Sequence, residues 1–218
     1  MAITDLDTHV SMFQRVQSSL LSLDQSLLFL INQTTSNSFF DWFFPAITDL
    51  HKTNIFKFGF LPLLFTVFLY KWGMKILIFF SGLILALGLN DWLGSQFKHF
   101  FTRPRPFETF QQVIQRSEAG GFSFPSNHAS NIFCAAMFFG IFFPKGRWFF
   151  FTFAFLVSYS RVYNGVHYPI DIIVGAILGL SIGGSTAWLM KKINNIWAKE
   201  NLNEGLMTKI LAYERVDA

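Results

Sequence analysis

The sequence predicts an all-α membrane protein, a polytopic bundle of transmembrane helices preceded by an amphipathic N-terminal region. Of its 218 residues, 52% are hydrophobic and only 14% are charged, whereas a soluble globular domain carries about 25% charged residues. Phenylalanine alone accounts for 30 positions, which is more apolar surface than one domain of this size can hide from water. Lipid therefore surrounds part of the chain. Because unpaired backbone groups are costly in lipid, we expect the apolar segments to be helices.

Five apolar segments approach the roughly 20 residues that a transmembrane helix needs. They are Ile55–Tyr70, Ile76–Gly94, Ser130–Phe143, Trp148–Val166 and Ile170–Met190. Together they define a predicted transmembrane domain over residues 55–192, with no long linker or low-complexity stretch to divide it.

Residues 1–54 have a different pattern. Between Leu20 and Leu30, leucines are interleaved with serine, aspartate and glutamine, and a polar stretch, Asn32–Asn37, precedes a run rich in phenylalanine and tryptophan. Such a pattern is typical of one or two amphipathic helices that lie in the membrane interface, although a sixth, irregular span in this region remains an alternative. The polar tail over residues 193–218 is predicted to form a cytoplasmic amphipathic helix.

The topology follows from the basic residues in the short loops after the first, third and fifth predicted spans. These residues are Lys71, Lys75, Lys145, Arg147, Lys191 and Lys192. By the positive-inside rule these loops are cytoplasmic, so the loop over residues 95–129 and the junction over residues 164–169 face outward. The net charge of +4 is dispersed between apolar stretches, a distribution that argues against nucleic-acid binding. The single cysteine, Cys134, excludes an intramolecular disulfide.

The first polar cluster on the outward side combines Lys98 with Arg105, which are separated by six residues. Two fixed cations beside a membrane helix suit an oxyanion, because arginine binds phosphate through two parallel hydrogen bonds. Pro104 and Pro106 stiffen the loop around the arginine. The alternative interpretation is a basic patch that binds anionic lipid headgroups.

The second cluster, Pro125-Ser126-Asn127-His128, comes directly before an apolar segment. Ser126 or Asn127 can cap the predicted helix, and the free N–H groups at a helix start can bind an anion. The alternative is a simple helix cap beside an interfacial histidine.

The third cluster contains Arg161, His167 and Asp171. The last two are four residues apart at the start of the fifth span, which predicts that they share one helical face. The Asp171 carboxylate can then accept the Nδ1 proton of His167 and leave Nε2 as a nucleophile. A structural ion pair is the alternative, although ionisable residues at membrane depth are functional candidates by default.

Taken in order, these clusters resemble the signature of the type 2 phosphatidic acid phosphatases (PAP2), a family within the vanadium-haloperoxidase-like superfamily. That signature reads Lys-x6-Arg-Pro, then Pro-Ser-Gly-His, then Ser-Arg-x5-His-x3-Asp. This chain has all three motifs, with one departure: Asn127 stands where glycine is commonest. Asparagine tolerates left-handed backbone better than most residues, so its N–H can still meet a phosphate. The resemblance covers about Ile55 to Met190 and implies a PAP2-like helical fold.

The resemblance also implies roles for individual residues. His167 would attack phosphorus and form a phosphohistidine, Asp171 would stabilise the imidazolium, and His128 would protonate the leaving oxygen and later activate water. The expected phosphate-binding residues are Lys98, Arg105, Ser126, Asn127 and Arg161. Since three cations already neutralise the phosphoryl charge, we expect neither a metal ion nor another cofactor.

The implied function is hydrolysis of a lipid phosphate or diphosphate in the bilayer, with the site on the outward face of a bacterial inner membrane. The substrates considered are undecaprenyl diphosphate, which family analogy favours, phosphatidic acid, phosphatidylglycerol phosphate and lipid A phosphate. Three alternatives remain: a lipid phosphotransferase that uses the same site, a non-enzymatic binder or transporter of anions, and a vanadate-dependent haloperoxidase.

Overall fold

The computed structural model describes the backbone of residues 2–73 and 75–214 and the side chains of residues 14–71, 73 and 76–193. Within these residues the chain is helical and contains no strand, as predicted. The α-helices are α1 (Ala2–Phe29), α2 (Ser38–Asp49), α3 (Leu61–Trp72), α4 (Lys75–Phe101), α5 (Pro106–Thr109), α6 (Asn127–Phe142), α7 (Arg147–Tyr163) and α8 (Pro169–Glu214).

The N-terminal region forms two helices, with the predicted polar break between them. Helix α1 continues into a π-helical turn, Leu30–Thr34, and α2 begins after Asn37, whose Oδ1 accepts a hydrogen bond of 3.0 Å from the Phe40 N–H. Leu28 on α1 is fully buried and packs with Val113. The placement of these helices in the membrane interface stays a prediction.

The structure supports fewer membrane spans than the sequence predicts. Two described segments are long and apolar enough to cross a membrane, Ile76–Thr109 and Pro169–Ile193, and only 22% of the most apolar window of each is buried. A third span exists if Ser38–Lys52 and Ile55–Lys71, which meet at a 49° bend, count as one. Helices α6 and α7 have 16 and 17 residues, short of the roughly 20 that a span needs. The count of five or six spans is therefore not confirmed.

Two helices extend beyond the predicted boundaries. Helix α4 does not end at Gly94 but continues to Phe101, so Lys98 lies on its last turn rather than in a loop. It ends where Thr102 adopts a left-handed φ of 43°. Helix α8 continues past residue 192 to Glu214, so the predicted tail is helical through residue 214. The rest of the predicted tail, residues 215–218, lies outside the described residues.

Helices α6 and α8 pack closely through a glycine stripe on α8 (Gly175, Gly179 and Gly183). A Cβ atom on these glycines would lie 2.6 Å from Ser126 O, 2.0 Å from Ser130 O and 2.3 Å from Cys134 O, respectively. Small residues let two helix backbones approach in this way. Because the contacts advance in the same direction along both helices, α6 and α8 are parallel and their N-termini lie side by side.

The neighbouring helices run in the opposite direction. On α4, Gly94 packs against the Asn127 side chain at the start of α6, whereas Gly82 packs against Met190 near the end of the predicted fifth span. Helix α7 returns from the end of α6 through a short 3₁₀ turn, Pro144–Gly146. One end of the bundle therefore gathers the C-termini of α4 and α7 and the N-termini of α6 and α8, the four places that carry the sequence motifs.

Candidate active site

His167 occupies the turn between α7 and α8 and is 2% exposed. Its Nδ1 lies 3.4 Å from Asp171 Oδ2, and its Nε2 lies 3.3 Å from a terminal nitrogen of Arg105. The predicted pairing with Asp171 is present, but the predicted shared helical face is wrong, because α8 begins only at Pro169. A residue before proline is disfavoured in helical conformation, so the helix cannot extend back through Tyr168.

Asp171 reaches His167 by turning back over the start of α8. As the third residue of the helix, it accepts a 2.9 Å hydrogen bond at Oδ2 from the Tyr168 N–H, which is one half of a capping box. The Ser123 hydroxyl donates a short hydrogen bond to the same oxygen. Asp171 is fully buried, and these donors help to compensate its carboxylate for the loss of water.

The contacts of His167 define its tautomer. Arginine carries donors and no acceptor, so the Arg105 guanidinium donates to Nε2, and Nε2 must hold the lone pair. The ring proton is then on Nδ1, facing Asp171 Oδ2 and the Ser123 hydroxyl, both 3.4 Å away. This is the tautomer in which Nε2 can act as a nucleophile.

Burial lowers the pKa of the His167 imidazole from its ordinary value of 6.5 to about 4, although the Asp171 carboxylate opposes this shift. The cause is desolvation, which disfavours the charged form of the ring. At neutral pH the imidazole is therefore uncharged.

Arg105 lies directly before α5, and its side chain contacts the loop between α5 and α6. Its guanidinium donates to three backbone carbonyl groups at 2.8–2.9 Å, those of Gly120, Gly121 and Val166. Its backbone N–H donates to the Glu108 carboxylate at 3.0 Å, in the first turn of α5. These contacts hold the guanidinium, which is 5% exposed, directly against His167.

Lys98 and Arg161 both lie close enough to Arg105 to be affected by its charge. The Lys98 ammonium donates to the Phe122 carbonyl oxygen at 2.7 Å, and a terminal nitrogen of Arg105 lies 3.4 Å from the same oxygen. Arg161 is 2% exposed, and its buried Nε has no hydrogen-bond partner among the described residues. A buried, unpaired donor of this kind calls for an explanation, and an anion among three cations supplies one.

The second motif meets the third through backbone contacts. Ser126 caps α6, because its Oγ accepts from the Ala129 N–H at 3.4 Å, and its own N–H donates to the Asp171 carbonyl oxygen at 3.0 Å. Asn127 is the first residue of α6, so its N–H belongs to the unpaired groups of a helix start. Of the two predicted capping residues, Ser126 makes the cap.

His128 follows at the start of α6, where Arg161 and His167 are close enough to act electrostatically on its ring. It lines a cavity of about 480 Å³ whose walls are mostly apolar. His51 lines the same cavity, and its ring centroid is 5.8 Å from that of His128. The eight predicted site residues thus lie at one end of the bundle.

Three further residues belong to this assembly, Ser123, Asp24 and Arg103. The sequence motifs assign none of them a catalytic or phosphate-binding role. Arg103 bridges the carboxylates of Asp171 and Asp24, at 2.7 and 2.6 Å. The one available signal for Asp24 was an acidic residue within a leucine-rich helix.

Comparison with known proteins finds a matching family model, related sequences and a related crystal structure. The sequence model of the PAP2 superfamily matches residues 75–195. The lipid A 4'-phosphatase of Bacteroides thetaiotaomicron is 31% identical over 187 residues, which cover 78% of this chain and 76% of that protein. The undecaprenyl-diphosphatase of Sulfolobus acidocaldarius is 32% identical over 121 residues, or 52% of this chain and 59% of that protein. The crystal structure of Aquifex aeolicus LpxE matches with a TM-score of 0.61 and 29% identity, over 75% of this chain and 94% of that chain.

Proposed function

Since this chain belongs to the PAP2 superfamily and is an integral membrane phosphatase of lipid phosphates, we propose that it acts through a phosphohistidine on His167. The observation that carries this proposal is the position of the His167 ring, with Asp171 behind Nδ1 and Arg105 at Nε2. Simple anion binding needs cations, but it does not need a neutral imidazole whose tautomer is held by a buried carboxylate.

In the first step, a phosphoryl group enters beside Nε2, and Arg105 transfers its hydrogen bond from that nitrogen to a phosphoryl oxygen. Nε2 attacks phosphorus in line, and the bond from phosphorus to the leaving oxygen breaks. Lys98 and Arg161 stabilise charge on the transferring group, which is usually the largest catalytic contribution. Asp171 stabilises the imidazolium that results, because its Oδ2 already faces Nδ1.

His128 serves the leaving group and then the water. It donates a proton to the leaving oxygen in the first step, which requires a protonated ring; the negative charge of the bound phosphoryl group favours that form. In the second step the neutral His128 takes a proton from water, whose oxygen attacks the phosphohistidine and releases inorganic phosphate and neutral His167. The site residues of both steps sit at one end of the bundle.

The substrate class follows from the surroundings of the site. The cavity beside His128 is lined mostly by apolar residues, which suits a hydrocarbon chain and not a soluble ester. Among the four lipids considered, lipid A phosphate moves ahead of undecaprenyl diphosphate, because the lipid A 4'-phosphatase relative matches more of both chains. We place the site on the outward face of a bacterial inner membrane. A lipid phosphotransferase that passes the phosphoryl group to a second lipid remains the alternative.

The proposed function predicts phosphate release from one lipid in a panel. Detergent-purified protein would be given lipid A, undecaprenyl diphosphate, phosphatidic acid, phosphatidylglycerol phosphate and a soluble phosphate ester, each with EDTA. We expect release from lipid A or undecaprenyl diphosphate, unaffected by the chelator, and little from the soluble ester. Phosphorylated lipid product without free phosphate would identify a phosphotransferase. A folded protein that releases phosphate from none of the panel contradicts the proposal.

The pKa of His167 predicts the acid side of the pH–rate profile. Because burial lowers that pKa to about 4, we expect kcat/KM to stay level through pH 6.5 and to fall about tenfold per unit below pH 4. Burial lowers the pKa of His128 in the free protein, so loss of its proton should appear as an alkaline fall in kcat, which reports the substrate complex. Measurement of kcat and kcat/KM from pH 3.5 to 10 checks both limbs. An acid limb centred near pH 6.5 would contradict the buried, neutral nucleophile.

The free energy of unfolding must be measured at the same pH values, because protonation of His167 affects it as well. Between about pH 6.5 and 4 the unfolded chain binds a proton at residue 167 and the folded protein does not, so stability falls as pH falls through this window. The His167→Gln variant lacks this component. A comparison of its thermal unfolding with that of wild type separates unfolding from titration of the active site.

A further inference from the structure

Asp171 is held at both of its carboxylate oxygens. Oδ2 receives the Tyr168 N–H and the Ser123 hydroxyl and faces His167 Nδ1. Oδ1 receives one terminal nitrogen of Arg103 at 2.7 Å. Since a carboxylate can rotate about its bond to Cβ, a partner at Oδ1 adds to the contacts at Oδ2 in keeping that oxygen towards His167. Among the described residues, Arg103 is the ion-pair partner at Oδ1.

Arg103 differs from the three cations assigned to the phosphate. Its second terminal nitrogen donates to Asp24 Oδ2 at 2.6 Å, and its guanidinium stacks over the Tyr168 ring at 3.6 Å. Both terminal nitrogens are therefore bonded to carboxylates, and one face of the group is covered by an aromatic ring. This planar fork suits the bridging of two carboxylates, and it leaves Arg103 poorly placed to bind a phosphoryl group.

Asp24 connects this arrangement to the N-terminal helix. It lies on α1, outside the segment that the family model matches, yet it is 5% exposed. Its second oxygen, Oδ1, accepts a 2.8 Å hydrogen bond from the Ile170 N–H in the first turn of α8. Asp24 thus contacts both Arg103 and the turn that carries Asp171.

We propose that Arg103 and Asp24 are positioning residues for the phosphoryl transfer, which makes α1 part of the catalytic unit. Arg103, oriented by Asp24 and Tyr168, holds Asp171 so that its Oδ2 faces His167 in both the neutral and the phosphorylated state. The inference rests on the proposed function of His167. It assigns to α1 a role that its amphipathic sequence does not reveal, because one buried acid in that helix completes the support of the nucleophile.

The test compares a transition-state mimic with a ground-state ligand. Orthovanadate adopts the five-coordinate geometry of phosphoryl transfer at an imidazole nitrogen, and inorganic phosphate does not, so only vanadate depends on the orientation of His167. Binding of each ion to detergent-purified protein would be measured by calorimetry for wild type, Asp24→Asn and Arg103→Lys. Turnover would be measured with lipid A bearing a 4'-phosphate.

We expect both variants to lose vanadate affinity and kcat by about 10- to 100-fold, the range seen when groups that orient a site ligand are removed. Phosphate affinity and KM should change by less than about twofold. The double variant should be no worse than Arg103→Lys alone, because the two residues act as one unit. Arg103→Lys retains a cation at this position and serves if Asp24→Asn fails to fold.

A matched control is available in a second aspartate–arginine pair. Asp41 on α2 lies 2.7 Å from Arg116 Nε and also joins the N-terminal region to the loop before α6, but it does not touch Asp171. Asp41→Asn should lose stability and keep its vanadate affinity. If folded Asp24→Asn binds vanadate like wild type, or behaves like Asp41→Asn, the positioning role is wrong. If wild type itself prefers phosphate to vanadate, the proposed function of His167 fails instead.

Discussion

Replacing His167 with alanine is expected to reduce phosphate release by at least about 10⁴-fold, the scale on which loss of a nucleophile acts in other hydrolases. No other group in the described site combines a free lone pair with a buried carboxylate behind it, so nothing can take over the attack. His167→Gln should be equally inactive, although it preserves much of the volume. Initial rates with lipid A and with undecaprenyl diphosphate, at matched protein concentration, measure the effect.

The control for this variant is another histidine near the same end of the bundle. His99 is exposed on the last turn of α4, and His99→Ala should keep activity within about twofold of wild type. A non-enzymatic binder would give a different pattern: it would tolerate His167→Gln and lose its ligand when Arg105 is replaced. Turnover by a folded His167→Ala protein would exclude the phosphohistidine route.

The second large effect is expected on stability, from a substitution in the glycine stripe at Gly179, which has no catalytic role. In Gly179→Ala the new Cβ would lie 2.0 Å from Ser130 O and 2.8 Å from Cys134 N. Both are backbone atoms of α6, so no side-chain rearrangement can relieve the clash. Helices α6 and α8 must move apart instead. We expect the free energy of unfolding to fall by at least about 2 kcal/mol, visible as a lower thermal midpoint in detergent.

Activity should fall together with stability in this variant. The stripe brings Ser126 against the start of α8, and a wider spacing would break the hydrogen bond from the Ser126 N–H to the Asp171 carbonyl. The control is Gly88→Ala on α4, where a Cβ would meet nothing within 4 Å. Alanine is favoured over glycine in helices by about 1 kcal/mol, so this control should be neutral or stabilising. Equal midpoints for the two variants would refute close packing at the stripe.

The sequence by itself determined the helical class, the break before α2 and the residues that gather at one end of the bundle. These features depend on local signals. Apolar runs predict helices in lipid, a polar interruption with a capping residue such as Asn37 ends one helix and begins another, and motif spacing selects His128, His167 and Asp171. The substrate, the span count and the roles of these residues were not determined in this way.

Helix boundaries were predicted less well, because they depend on backbone geometry and not on hydropathy alone. Helix α4 runs on through Lys98 because no residue before Thr102 interrupts it. His167 stays outside α8 because Pro169 excludes helical geometry from the residue before it. In both places a hydropathy window ends where polar residues begin, whereas a helix ends where the backbone geometry changes.

Only the tertiary structure decided what supports the site. Asp24 and Arg103 are 79 residues apart, and nothing in the local sequence of either one indicates the other. Their meeting depends on how α1 packs beside the first turn of α8, where the Ile170 N–H donates to Asp24. Local sequence determines the residue types and the helices that carry them, but contacts between distant residues arise from packing of the whole chain, which is why the positioning of Asp171 could not be predicted.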